Sequence, residues 1–147
     1  MKIRVLLVDD EEQFVQTLAE RLQMRDYDVT TSLSGEDALE KVKGYNFDVV
    51  VLDVLMPGLD GIQALREIRN IKPLTEVIML TGHGTVETAI EGMKLGAFDF
   101  LLKPTETEEL VSKINKAHAR KAEHEERIRE AKVRELETSP LSVLKDT

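Results

Sequence analysis

The sequence contains no cysteine. That absence excludes disulfide frameworks, thiolate nucleophiles and cysteine-ligated zinc or iron–sulfur centres together. Long apolar runs are missing too. The N-terminal MKIRVLLVDDEE offers only Val5–Val8 before four acids, too short for the core of a signal peptide, and no later segment reaches the ~20 apolar residues of a membrane span. A cytoplasmic protein without membrane insertion is expected. A basic stripe interleaved with aromatic residues is the third absence: aromatics make up 4% of the chain and the net charge is −8. Residues 118–147 hold seven Lys/Arg against seven Asp/Glu, so the excess lies in residues 1–117, where 13 basic residues face 21 acidic ones. Such a body repels nucleic-acid phosphates, and no direct nucleic-acid binding is expected. Walker A sequences, internal repeats and low-complexity blocks are absent as well.

What remains suits one domain with an appendage. The chain has 147 residues, 41% hydrophobic and 33% charged, which fits a soluble fold with a real core. Short aliphatic runs at Ile3–Val8, Val49–Leu52, Val77–Leu80 and Phe98–Leu102, with a weaker one at Tyr27–Thr31, read as strands. Between them, apolar residues recur every three or four positions, as in Phe14, Val15, Leu18, Leu22 and in Val86, Ala89, Ile90, Met93, which is the helical period. Ser34 is placed to cap one helix, Gly44 to close it, and Gly96 to close the helix before the last strand. Strands followed by crossover helices imply an α/β fold, a parallel sheet between two helix layers.

The last helix starts near Glu106 and finds no stop before Thr138–Pro140. Beyond His118 it is dense in alternating charge and reads as solvated, giving a division into residues 1–118 and a helical extension and tail, 119–147, with no separate output domain. A heptad seam takes in Leu110, Ile114, Ala117, Ile128 and Ala131, but Lys121, His124 and Glu135 fall on it too, so the coiled-coil signal is weak.

Chemistry in open α/β sheets gathers at the carboxyl ends of the strands. There the sequence sets Asp9-Asp10, Asp53, Thr81-Gly82 and Lys103-Pro104. Each has an ordinary reading: Asp9 and Asp10 as caps of the first helix, Asp53 as a turn residue, Thr81 as a loop hydroxyl, Lys103 as a surface lysine. Their conjunction on one sheet edge is less ordinary. Carboxylates ~4 Å apart repel by about 4 kcal/mol at an effective dielectric of 20, so the cluster needs cations. Lys103 supplies one, and a hard divalent ion with oxygen ligands, Mg²⁺, suits the rest. A carboxylate beside a metal, a lysine and a hydroxyl is the apparatus for accepting a phosphoryl group, with Asp53 as the nucleophile. By contrast, TGHGTVE at Thr81–Glu87 imitates a dinucleotide fingerprint but puts Glu87 at its third glycine position. His83, His118 and His124 show no nucleophile partner.

These residues resemble the receiver domains of bacterial two-component response regulators. The resemblance covers about residues 1–118 through Asp9-Asp10, LDVLMPGLDG around Asp53, LTGHG around Thr81 and FDFLLKP ending at Lys103-Pro104. It implies a flavodoxin-like (βα)5 sandwich with sheet order 2-1-3-4-5. It further implies that Asp9, Asp10 and Asp53 bind Mg²⁺ with help from the Leu55 carbonyl, and that Asp53 accepts phosphate from the phosphohistidine of a sensor histidine kinase or phosphotransfer protein. Thr81 and Lys103 would grip the phosphoryl oxygens, Phe100 would be the switch aromatic, and Lys103-Pro104 would be cis. The face of helix four, strand five and helix five would then bind a downstream protein or a second copy. Such a chain is a phosphorylation switch, not an enzyme acting on a separate substrate. Leu55 and His83 occupy the positions that shape phosphate lifetime. Two alternatives stay beside this reading. The chain could be the input half of a larger transcriptional regulator. An aspartyl-phosphate phosphatase would want a second acid where Leu55 stands.

Overall fold

The computed structural model describes residues 1–56, 58–82 and 86–138. Five strand–helix units alternate: β1 (Arg4–Val8), α1 (Glu12–Gln23), β2 (Asp28–Ser32), α2 (Gly35–Gly44), β3 (Val49–Leu52), α3 (Gly61–Ile71), β4 (Glu76–Thr81), α4 (Val86–Lys94), β5 (Asp99–Leu102) and α5 (Thr107–Thr138). All pairings are parallel and the order is β2-β1-β3-β4-β5.

The period of two along each strand sends alternate residues into two cores. Leu6, Val8, Val50, Leu52, Val77 and Met79 face α2 and α3. Val5, Leu7, Val49, Val51, Ile78 and Leu80 face α1 and the first turns of α5. Central strands buried on both sides therefore read as unbroken apolar runs.

Local signals set the ends of the elements. The Ser34 hydroxyl accepts the Asp37 N–H at 3.1 Å, and the Asp60 carboxylate caps α3 by accepting the Gln63 N–H at 2.9 Å. Gly96 closes α4 at φ +100°; its N–H donates to Met93 O, and Ala97 N–H donates to Gly92 O, the paired bonds of a glycine-terminated helix. Gly44 is simply the last residue of α2.

Helix α5 is the element that runs past the body. Leu110, Ile114 and Ala117 are buried against the sheet, so the first half of the heptad seam is spent on the protein's own core. The expectation of a solvated helix beyond His118 fails at Lys121, which is buried and lies 3.2 Å from Asp48 Oδ1 and 3.2 Å from Glu125 Oε1. Arg4 reaches the same Asp48, while Arg69 and Arg120 pair with buried Glu76. The Arg120 contact is an ion pair at 2.7 Å outside hydrogen-bond angles. Two carboxylates at the amino ends of β3 and β4 thus anchor α5 one turn further than its apolar face does. No helix among the described residues is long and apolar enough to cross a membrane.

Candidate functional site

Register brings the site together before any side chain is considered. Val8 pairs with Leu52, so Asp9 and Asp53 leave neighbouring strands at the same level, and Asp53 N–H donates to Val8 O at 2.9 Å. Thr81 pairs with Leu102 on the other side of β4, and Lys103 N–H donates to Thr81 O at 2.9 Å. The apolar strands β1 and β3 must be buried; the polar residues that end them are carried to one edge.

Each buried carboxylate spends one oxygen on its own turn. Asp9 Oδ1 accepts the Glu11 N–H at 3.0 Å, and Asp53 Oδ1 accepts the Leu55 N–H at 3.2 Å. Both therefore act in part as turn residues; Asp9 does not cap α1, whose N-cap Glu11 has no side-chain cap bond, and the turn bonds do not exhaust the two carboxylates. Asp10 is exposed, yet oxygens of Asp9, Asp10 and Asp53 all lie within 4.8 Å of one another. Asp9 Oδ2 takes a charged hydrogen bond from Lys103 Nζ, which also lies 3.3 Å from Glu11 Oε1. Thr81 is fully buried at the end of β4. Lys103-Pro104 is cis, Leu55 is half exposed, and Phe100 is half-buried against the core that faces α2 and α3. His83 lies outside the described residues.

Electrostatics show what the cluster lacks. Burial pushes the Asp9 carboxyl above the usual aspartate range; the Lys103 hydrogen bond and the Glu11 N–H oppose this, and the charge of Asp53 adds to it. Burial works against the Lys103 ammonium, but the hydrogen bond to Asp9 and the charges of Asp9, Asp53 and Glu11 hold its pKa above the ordinary lysine value. A lysine that keeps its proton should pull Asp9 down. Here one ammonium faces several carboxylates, and burial with Asp53 prevails over it. The cluster is short of positive charge, its donors are all oxygen, and this is the donor set a hard divalent cation prefers.

Two neighbours escaped the sequence reading. A Cβ on Gly61 would lie 2.2 Å from Asp53 O and 2.3 Å from Val54 Cα, so only glycine lets α3 start against the backbone of Asp53 and Val54. The available signal was the Asp60-Gly61 pair, a cap followed by a residue without a side chain. Phe14 enters the sequence reading only as one position of a helical period, yet Lys103 Nζ sits 4.1 Å from its ring centroid.

The profile of the response regulator receiver domain family matches residues 5–115. The chain belongs to that family. Over 118 residues the receiver is 39% identical to the transcriptional regulatory protein ZraR of Salmonella typhimurium, a match that takes in 80% of this chain and 27% of ZraR. The receiver thus spans about a quarter of that relative's length. Among solved structures it resembles a response regulator receiver domain protein from Clostridium thermocellum at 39% identity and TM-score 0.77, covering 81% of this chain and 96% of that one. A receiver domain protein from Methanospirillum hungatei, 22% identical with TM-score 0.82 and covering 84% and 99%, shares the fold. The receiver is accordingly a module of two-component signalling, a family of phosphorylation switches, and it has the five-stranded order 2-1-3-4-5 of the flavodoxin-like sandwich with a long final helix.

Proposed function

We propose that Asp53 is the phosphoacceptor of this receiver and that its donor is the phosphohistidine of a sensor histidine kinase or phosphotransfer protein. The observation that carries this reading is the convergence of Asp9, Asp10 and Asp53 within 4.8 Å, with the Lys103 ammonium on Asp9. In the step, an Asp53 carboxylate oxygen forms the bond to phosphorus, the phosphorus–nitrogen bond to the donor imidazole breaks, and the imidazole leaves and takes up a proton. Lys103 and the Thr81 hydroxyl receive the equatorial phosphoryl oxygens as charge develops on them.

The all-oxygen donor set fits Mg²⁺, which Asp9, Asp10, Asp53 and the Leu55 carbonyl would hold. Bound there, it supplies positive charge against the phosphoryl oxygens. The phosphoryl group adds roughly −1.5 to −2 charge to a balanced cluster, so Thr81 and Lys103 rearrange toward it. Phe100 is the switch aromatic of this reading: it is half-buried on β5, one strand from Thr81, and turns inward as Thr81 moves. The responding face is α4, β5 and α5, where Val86, Ile90, Met93 and Leu102 are exposed and meet a downstream protein or, on phosphorylation, a second copy. Leu55 and His83 set how long the phosphate lasts. We assign the switch to residues 1–118 with 119–147 as its helical extension and tail, and place it in the cytoplasm. The only substrate it turns over is its own acyl phosphate.

A second reading is favoured by length. ZraR is named a transcriptional regulator and the receiver matches about a quarter of it, so the same switch in a longer protein would report through α5 to an output domain.

Incubating the protein with Mg²⁺ and acetyl phosphate, with Asp53→Ala as control, tests the acceptor. The wild type gains the mass of one phosphoryl group and the variant gains none; equal gain in both, or none in either, contradicts the reading.

A further inference from the structure

A lysine that acts on a developing charge has to be held over it, because its four-carbon stem otherwise samples many rotamers. The stem of Lys103 passes Gly82, whose Cβ position lies 3.9 Å from Lys103 Cδ. Its head has three holders: Asp9 Oδ2, Glu11 Oε1 at 3.3 Å, and the Phe14 ring with its centroid 4.1 Å from Nζ. The first two are carboxylates. Asp9 belongs to the oxygen cluster, and the Glu11 side chain is 68% exposed, so their hold on the lysine changes whenever charge enters the site. The ring differs in kind. It bears no net charge, packs half-buried on the core that α1 covers, and attracts an ammonium through its π face whatever the carboxylates are doing.

A cavity of about 60 Å³ lies beside the ring, and Thr17, Arg21, Thr105 and Thr107 line it as well as leucines, so the ring is not enclosed by apolar side chains alone. What an aliphatic residue lacks is the quadrupole that faces Lys103.

We propose that Phe14 is a positioning residue for Lys103: the face of its ring fixes the ammonium above Asp9 and Asp53, so that the lysine meets the phosphoryl oxygens as their charge develops. This rests on Asp53 being the acceptor. Phe14 touches no reacting atom, and the bonds made and broken are those given above.

The test compares Phe14→Leu, Phe14→Tyr and a packing control, Leu18→Ala. Two readouts are taken on the full chain: the rate of phosphorylation against acetyl phosphate concentration at saturating Mg²⁺, and the proton shift of the Lys103 ε-methylene by NMR without donor. In the wild type the ring current displaces that resonance upfield. Phe14→Leu abolishes the displacement and lowers the saturated rate about tenfold, the scale of a partly desolvated cation–π contact, with the half-saturating donor concentration within about twofold of wild type. Phe14→Tyr restores both readouts. Leu18→Ala lowers the melting temperature and leaves both unchanged. A Phe14→Leu protein at the wild-type saturated rate, or an undisplaced ε-methylene in the wild type, overturns the proposal. Failure of the wild type to take up phosphate defeats the acceptor reading instead, and the ring-current comparison then decides the placement of Lys103 by itself.

Discussion

Leu55 gives its backbone N–H to Asp53, the proposed acceptor, and keeps an apolar, half-exposed side chain two residues from it. Such a side chain cannot hydrogen-bond a water that attacks the acyl phosphate. Leu55→Asn is therefore expected to speed phosphate loss about three- to tenfold, below the general acid–base range because an amide only orients the water. Following the decay of phosphorylated protein by intact mass checks this, and equal half-lives would remove Leu55 from the account. That Asp53, Asp9, Asp10, Thr81 and Lys103 share one sheet edge was legible because each ends a strand, and strand ends can be counted along a chain. Gly61 and Phe14 were not. Gly61 matters through the backbone of Asp53 and Val54, and Phe14 through a lysine 89 positions away; neither contact leaves a trace in local periodicity.

Helix α5 shows the same limit in an element. Its charged stretch after His118 carries the pattern of a solvated helix, and most of it is exposed, but Lys121 is turned onto Asp48. Burial would raise the Asp48 carboxyl; the Arg4 N–H, the Arg4 guanidinium and Lys121 together outweigh it and hold the pKa below the usual aspartate value. Removing the lysine leaves Asp48 with Arg4 alone, so Lys121→Ala is expected to cost about 1–3 kcal/mol in urea unfolding at pH 7. Arg129→Ala, on an exposed ion pair further along α5, should stay within about 0.5 kcal/mol. The pH dependence has a definite sign. A depressed carboxylate pKa stabilises the fold above the unfolded value of ~3.9, and this is lost as pH falls through the folded value. The gap between wild type and Lys121→Ala should accordingly be flat from pH 7 to 5 and shrink below about pH 4; a gap constant to pH 3 would mean that Lys121 acts by packing. Elsewhere local pattern served well, since β3 occupies the four-residue run VVVL that its sequence marks, and Ser34 and Gly96 end the helices they were expected to end.

Over the whole molecule, two apolar faces and one polar edge follow from alternating side chains on five parallel strands. That the layers would form was legible from the strand–helix alternation. The sheet order was not, because nothing in five similar runs says which are neighbours; it came with the family resemblance and is what brings Asp9, Asp53 and Thr81 to adjacent strand ends. The resulting switch has to move a two-state equilibrium, and a shift from 1:99 to 99:1 takes about 10⁴-fold differential stabilisation. A new charge of roughly −1.5 to −2 placed against Lys103, in a site already short of positive charge, is the term available for it. Everything therefore depends on which carboxylate receives the phosphoryl group. Phosphorylating the protein with acetyl phosphate and Mg²⁺, reducing the acyl phosphate with borohydride to homoserine and sequencing the tryptic peptides, Val5 to Arg21 and Gly44 to Arg66 among them, locates it. The account predicts homoserine at Asp53 and aspartate at Asp48 and Asp60. Homoserine at Asp9 or Asp10, or at no aspartate of the chain, would contradict it.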